Sequence, residues 1–477
     1  MAEESVAHKT ARTSVWGAIE KISTMGIQFV VSMVLARLLS PSDYGTIAML
    51  TVFIAISDQF VTCGFANALI RKPDCQDVDY STAFWFNIVA GVGFYGILFC
   101  IAPFVADFYG MDILCPILRV CGLALPIGAL RLVQYAILVK HLKAEKTAII
   151  HFVCSIVSGV IGIYMAYTGY GVWSLVAQQL TSGLLTALIL WTTSDWYPRW
   201  EFSHESMKYL WGFGSKMLVT GIISSIYGNI YSILIGKFYD RAALGVFNRG
   251  QKLAKLFPDV AESVFVKNSL PILSQLQDDK ERLTHVYREL VKVACFITIP
   301  AVCMISVLAE PFVRVVLTEK WMASVVYIQL FAATSFLSPA NSINLNLLQT
   351  FGRSDYTLKA EILKKSICLI VVFTLLPFGP LTLALGSCCM DVLAFSINLY
   401  FAKKLSGLHY TMQIKDVLPI LVSSILMSAI MLLTVTWIGS NLLKMIIGVI
   451  IGLSVYVALT KWVFRLNVYK QIDHFRK

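Results

Sequence analysis

The sequence predicts an all-α, polytopic membrane protein of about fourteen transmembrane helices with an internal six-helix repeat. Three observations carry this prediction: the composition, the apolar runs, and the placement of basic residues between them. Of 477 residues, 57% are apolar or aromatic and only 14% are charged, with a mean hydropathy of +0.72. Soluble domains carry roughly 25% charged residues, and disordered chains need the reverse composition. Both classes are excluded. The net charge of +11 does not make a nucleic-acid surface, because the bases sit in short clusters between apolar runs rather than along one polar face. They read as contacts with membrane lipids, and no nucleic-acid partner is predicted.

An apolar helix needs about 20 residues to cross a bilayer. The first run, 15–39, follows a polar start with Lys9 and Arg12 and shows no small-residue cleavage site, so it reads as a span and not a signal peptide. Runs 45–67, 81–106, 113–139, 147–168, 172–192 and 209–236 follow, each bounded by charged or turn-forming breaks. The eighth, 244–273, is heavily charged. After 286–308 comes a tenth run, 322–350, interrupted by Pro339, Asn341, Asn344 and Asn346. Runs 360–377, 380–402, 416–437 and 441–463 complete the set, and Gly448-x-x-x-Gly452 in the last suits close helix packing.

Short-loop Lys and Arg set orientation. With a cytoplasmic N-terminus, the inner segments hold 22 of these residues and the outer segments 5, namely Lys237, Arg241, Arg314, Lys320 and Lys444. Both termini are therefore expected inside. The longest connection, 193–208, has about 16 residues, too few for a soluble catalytic or receptor domain. Most of the eleven cysteines lie in apolar runs without a C-x-x-C pair, and the seven histidines show no H-E-x-x-H spacing. No disulfide, metal or cofactor is expected. Gly91-Val92-Gly93-Phe94-Tyr95-Gly96 fits a dinucleotide-loop pattern but lies inside a span, where it has no strand before it.

A short repeat is visible. Trp16-Gly17-x-x-x-Lys21 matches Trp211-Gly212-x-x-x-Lys216 at an offset of 195, and Ala36-Arg37 with Gly45 matches Gly236-Lys237 with Gly245 at an offset of 200. Six spans per half give both halves the same orientation, related by an axis along the membrane normal, and transporters of this design hold substrate between the halves.

Charges within the spans mark the candidate site, since each costs about 2.5–3.5 kcal/mol at a helix centre on insertion scales. In the eighth run, Asn248, Lys252, Lys255, Asp259 and Glu262 fall within an arc of about 80° on a helical wheel, opposite Leu253, Phe257, Val260 and Val264. That face lines a polar cavity or solvates an interfacial helix. Lys21 and Lys216 occupy matching places in the two halves, where each either lines the cavity or snorkels to the interface. Arg119, in the fourth span, has the same two roles open. Asp58, Glu262 and Asp391 lie nearer to mid-span and are candidates for ion coupling, against a structural hydrogen-bonding role.

Several strings, in order, carry a resemblance: LARLLSPSDYG at 35–45, GFANALIRK at 64–72, DYSTAFWFN at 79–87, GYGVWSLV at 169–176, LGVFNR at 244–249 and GRSD at 352–355. Together they resemble the polysaccharide transporters of the MOP exporter superfamily, and most closely the Wzx-type lipopolysaccharide and exopolysaccharide flippases of the colanic-acid-type branch. The resemblance covers residues from about 10 to about 460. It implies a MATE-like fold of two six-helix lobes, 1–200 and 201–405, with two further helices and a cytoplasmic tail in 406–477. It also implies that a polyprenyl-diphosphate-linked oligosaccharide is moved from the cytoplasmic to the periplasmic leaflet of the bacterial inner membrane by alternating access, alongside polymerase machinery. In the similar flippase for the peptidoglycan precursor, cations on the first, second and eighth helices surround the diphosphate. The matching places here hold Lys21, Arg249 and Lys252; the second helix departs, offering Asp58 and Gln59 but no cation.

Elementary chemistry agrees with that implication. A diphosphate with sugars cannot cross ~30 Å of hydrocarbon unaided, and Lys and Arg supply charge-assisted donors for it. Flipping between leaflets is close to energetically neutral, so net transport needs a consumed product or an ion gradient. The sequence has no P-loop for ATP. Two other readings are a drug or small-metabolite exporter of the same superfamily, which the ordered strings disfavour, and a membrane-embedded polymerase or ligase. The latter needs a large external loop, whereas the longest outer segment, 309–321, has about 13 residues.

Overall fold

The computed structural model describes residues 23–141, 143–352, 354–406 and 410–463, and every element among them is helical. The chain runs from α1 (Ser23–Leu38) through α2 (Pro41–Thr62), α3 (Phe65–Arg71), α4 (Asp77–Tyr109), α5 (Leu114–Cys121), α6 (Ala124–Lys140), α7 (Ala144–Tyr167), α8 (Val172–Thr193), α9 (His204–Phe238) and α10 (Arg241–Ala254). It continues with α11 (Leu256–Ala261), a π-helical turn (Glu262–Val266), α12 (Lys267–Ser274), α13 (Lys280–Phe312), α14 (Ser324–Ser335) and α15 (Leu337–Thr350). Last come α16 (Ser354–Leu375), α17 (Pro380–Ser406), α18 (Tyr410–Thr436) and α19 (Asn441–Ala458).

Ten helical stretches among the described residues are long and apolar enough to cross a membrane. The other four predicted runs are helical but fall short for local reasons. The described part of the first is only Ser23–Leu38, and α16 carries Lys359, Glu361, Lys364 and Lys365. The eighth and tenth runs are broken by proline. Pro258 lacks the N–H that would bond the Ala254 carbonyl, and Pro339 lacks the one for Ser335; α10 and α14 end at those two residues.

Two compact units emerge, Met1–Gly245 and Val246–Lys477. In the first, α7 packs along α8, α4 along α6 and α2 along α9. Phe65, Leu69, Phe84, Val133 and Leu210 form one of its apolar cores. In the second, α13 is the central post, packed against α14, α15, α18 and α19. There Tyr287 donates to Asn344 Oδ1 and accepts from Gln413 Nε2 at 3.1 Å, closing a polar link inside the core.

The strings that mark the resemblance are caps, straps and close approaches. Ser40 and Asp43 form a capping box at the start of α2, with Pro41 in its first turn. Asp79 is 2% exposed and accepts from Lys72 Nζ at 2.7 Å and from Ser206 Oγ at 2.6 Å, which ties the start of α4 to α9. On the same turns, Ser81 Oγ accepts from the Arg199 amide at 3.1 Å and Thr82 Oγ1 from the Ser203 amide at 3.0 Å. Trp85 Nε1 donates to the Arg199 carbonyl at 2.8 Å. DYSTAFWFN thus clamps the segment joining α8 to α9.

The Gly45 and Gly245 repeat has an equally local meaning. A Cβ on Gly45 would strike the Arg241 carbonyl, and one on Gly245 would strike the Pro41 carbonyl. The first turns of α2 and α10 therefore cross in a reciprocal contact that only glycine permits at both places.

Candidate functional site

Inside the first unit, α2, α3, α6, α7, α8 and α9 enclose a cavity of about 500 Å³. Helical spacing puts Gly128, Arg131 and Tyr135 on one face of α6, and Met217, Thr220, Gly221 and Ser224 on one face of α9. Asp58, Gln59 and Thr62 contribute from α2, His151 from α7 and Thr186 from α8. Small residues keep the space open: a Cβ on Gly128 would stand 3.8 Å from Asp58 Oδ1, and Gly221 leaves room for the Gln59 amide. Thr62, Thr186 and Thr220 donate their hydroxyl protons to their own helices at 2.9, 2.7 and 2.9 Å. Their oxygens remain acceptors for a guest.

Arg131 is the only arginine among the described residues that line this cavity. Among the described residues it has no hydrogen-bond or ion-pair partner; Asp58 acts on it electrostatically from beyond contact distance. Nine residues separate Arg131 from the α6 end at Lys140, about 13 Å along the helix axis. A guanidinium at that depth with five uncommitted donors is suited to a bidentate oxyanion such as phosphate.

In the second unit, Arg249 is 4% exposed, with its guanidinium carbon 5.7 Å from the centre of the Trp321 ring. Lys252, exposed one turn on, is close enough to feel the Arg249 charge. Lys255 stands near Asp391, whose Oδ2 accepts from Thr334 at 3.1 Å. Glu262 sits at the π-helical turn and accepts from Ser342 at 3.0 Å and Ser338 at 3.5 Å. This is a cluster of cations, with carboxylates at its edge.

Residues 34–326 match the model of a family described as polysaccharide biosynthesis protein. The chain belongs to that family. Among its relatives is the succinoglycan biosynthesis transport protein ExoT of Rhizobium meliloti, 25% identical over 318 residues, which are 66% of this chain and 64% of ExoT. The chain thus spans just under two thirds of ExoT. The lipopolysaccharide biosynthesis protein WzxC of Escherichia coli is 23% identical over 76% of this chain and 74% of its own length. The teichuronic acid biosynthesis protein TuaB of Bacillus subtilis is 22% identical over 71% of both. Among solved structures, the lipid II flippase MurJ in an inward closed conformation superposes with a TM-score of 0.77 at 16% identity, covering 94% of this chain and 99% of MurJ. An inward-facing multidrug resistance MATE family transporter of the MOP superfamily gives 0.64 at 14% identity, covering 82% and 98%. The fold is that of the MOP superfamily, and this polysaccharide biosynthesis protein is a multi-pass membrane protein.

The structure distributes the expected site residues of this family member unevenly. Arg249, Lys252, Lys255, Glu262 and Asp391 all lie in the second unit, with Lys255 beside Asp391. Asp58 lines the cavity of the first unit. Lys216 is exposed on α9, one residue before the cavity-lining Met217. Arg119 turns onto Phe99, with its guanidinium 4.2 Å from the ring centre and Nε donating to the Phe99 carbonyl at 3.3 Å. Lys21, with the Trp16-Gly17 repeat that contains it, lies outside the described residues. The single polar face expected over the eighth run is interrupted at Lys255, between α10 and α11, and ends at Glu262, where a π-helical turn begins. Arg131 and His151 escape the sequence reading. For Arg131 the available signal was a charge eight residues inside a predicted span, the same kind of signal that drew attention to Arg119.

Proposed function

We propose that this polysaccharide biosynthesis protein is a flippase, a transporter rather than an enzyme, that moves a polyprenyl-diphosphate-linked oligosaccharide from the cytoplasmic to the periplasmic leaflet by alternating access. The observation that carries the reading is the uncommitted Arg131 guanidinium inside a hydroxyl-lined cavity of a membrane-spanning bundle. Such a group, partly buried among the helices, gains from an anion that engages its donors. Arg249, Lys252, Lys255, Lys216 and Lys21 provide further cations for the diphosphate, whereas Arg119 is already committed to Phe99. Asp58, Glu262 and Asp391 are the carboxylates for ion coupling.

On this reading the lobes are 1–200 and 201–405, with 406–477 as an appended helix pair and tail. Both termini face the cytoplasm of a bacterial inner membrane, and the glycan passes to polymerase machinery outside. Names of relatives support the choice of substrate class: succinoglycan, lipopolysaccharide and teichuronic acid are surface glycans. The test is reconstitution of the full chain in liposomes with a polyprenyl-diphosphate oligosaccharide, scored by accessibility of the glycan in each leaflet to a membrane-impermeant glycosidase. Exchange well above that of protein-free liposomes is expected. Equal exchange would overturn the proposal.

A further inference from the structure

The cavity around Arg131 holds more than a guanidinium. Asp58 and Gln59 reach it from α2, and Asn67 reaches it from α3. Among the described residues, none of these three side chains has a hydrogen-bond or ion-pair partner. All three are open to a guest: Asp58 and Gln59 are half-buried, Asn67 is exposed, and no polar atom of Asp58 or Gln59 is sealed from solvent. One carboxylate, two carboxamides and one guanidinium thus face a single space with their hydrogen-bonding capacity unspent.

Their order follows from α6. A Cβ on Gly128 would stand 3.8 Å from Asp58 Oδ1, so the carboxylate lies against α6 three residues before Arg131, about 4.5 Å along the helix axis. Tyr135, with 41% of its surface exposed, follows four residues after Arg131 on the same face. Carboxylate, guanidinium and aromatic ring therefore form a row about 10 Å long. A phosphate or diphosphate brings only acceptors and negative charge, which suit Arg131 and are repelled by Asp58. Whatever covers Asp58 has to donate. A lone cation would satisfy Asp58 but not the N–H groups of Gln59 and Asn67, which need acceptors; a hydroxyl supplies both. The neighbouring cavity of about 550 Å³, beyond Leu190 at the ends of α6 and α8, has no such set: Lys143 pairs with Asp195 at 3.8 Å and Arg199 with Asp77 at 3.4 Å, and its Gln134 amide is sealed.

From this we infer that the ligand of the Arg131 cavity is a phosphosugar, held with its phosphate on Arg131 and the hydroxyls of the phosphate-bearing sugar on Asp58, Gln59 and Asn67. An ionised carboxylate accepts from two hydroxyls at once, and each carboxamide donates to one hydroxyl and accepts from another. The inference rests on the flippase reading for the source of the sugar, because the first sugar of a polyprenyl-diphosphate-linked oligosaccharide is bonded directly to phosphate. Asp58 then sets which sugars fit beside the phosphate. A coupling ion at Asp58 would occupy the same oxygens, so ion and sugar alternate there over a cycle.

The experiment is titration calorimetry of the full-length protein in phosphatidylcholine nanodiscs. The probes are inorganic phosphate, glucose 1-phosphate, galactose 1-phosphate and N-acetylglucosamine 1-phosphate. At least one sugar phosphate is expected to bind about tenfold or more tightly than inorganic phosphate, the effect of added hydrogen bonds to a charged group. Asp58→Asn should erase most of that preference and strengthen the binding of inorganic phosphate, since a repelling charge is gone. Arg131→Ala should weaken all four probes. Asn67→Ala, at an exposed position, should also narrow the preference, and it carries the test if Asp58→Asn fails to fold. Equal affinity of the parent for all four probes, a preference that survives both Asp58→Asn and Asn67→Ala, or weaker phosphate binding in a folded Asp58→Asn protein each overturns the phosphosugar site. Binding as expected without leaflet exchange in liposomes would instead remove the flippase reading and leave the site standing, whereas exchange without any sugar preference would remove the site alone.

Discussion

Arg131 and Arg119 show what a single residue can and cannot disclose in sequence. Both are arginines within one predicted span, and an insertion scale charges them alike. Their directions differ: Arg119 lies against Phe99, while Arg131 faces Asp58 across open space. Depth is written in the sequence; azimuth is set by which helices pack around α6. Arg131→Ala is expected to slow leaflet exchange by about 10- to 100-fold, the effect of losing a charged hydrogen bond worth roughly 1.5–3 kcal/mol. Arg131→Lys keeps a point charge but not the planar fork, so an intermediate rate is expected in the same liposome assay. Parent-like exchange in Arg131→Ala would show that the anion docks elsewhere.

At the scale of elements, the apolar runs were readable because lipid requires each crossing helix to satisfy its own backbone. The eighth run was misread as one continuous helix. Its periodicity was intact, but Pro258 removes a bond to Ala254 and so breaks the helix at Lys255, and a π-helical turn at Glu262–Val266 ends the regular α-helix beyond it. Gly45 and Gly245 were visible as a repeat, yet their purpose needed the fold. Adding a methyl group at either place forces α2 and α10 apart, and overpacking of this kind costs typically 1–3 kcal/mol. Gly45→Ala and Gly245→Ala should therefore each lower the midpoint of thermal unfolding in detergent. Gly93, with no atom within 4 Å of a would-be Cβ, is the control, and Gly93→Ala should leave the midpoint unchanged or raised. Equal midpoints for all three would mean that the crossing carries no load.

For the whole molecule, composition and the asymmetry of basic loops were enough to reach a multi-pass membrane protein, and the ordered strings were enough to reach the family. What stayed hidden were the cavities, because they arise where faces of several helices meet and no one helix encodes them. If the protein is the flippase proposed above, its cycle requires helices to move, and the clamp on the α8–α9 segment limits where. Asp79, Thr82 and Trp85 rivet the beginning of α9 to α4 by way of Ser206, Ser203 and Arg199. Spin labels at the exposed positions Asp74 and Glu205 should accordingly keep one separation throughout a transport cycle, and a broadened or shifted distance distribution would contradict this. The base of α9 then behaves as the anchored end of a lever, and whatever bending the cycle demands is exported along its 35 residues toward Gly221 and Gly228.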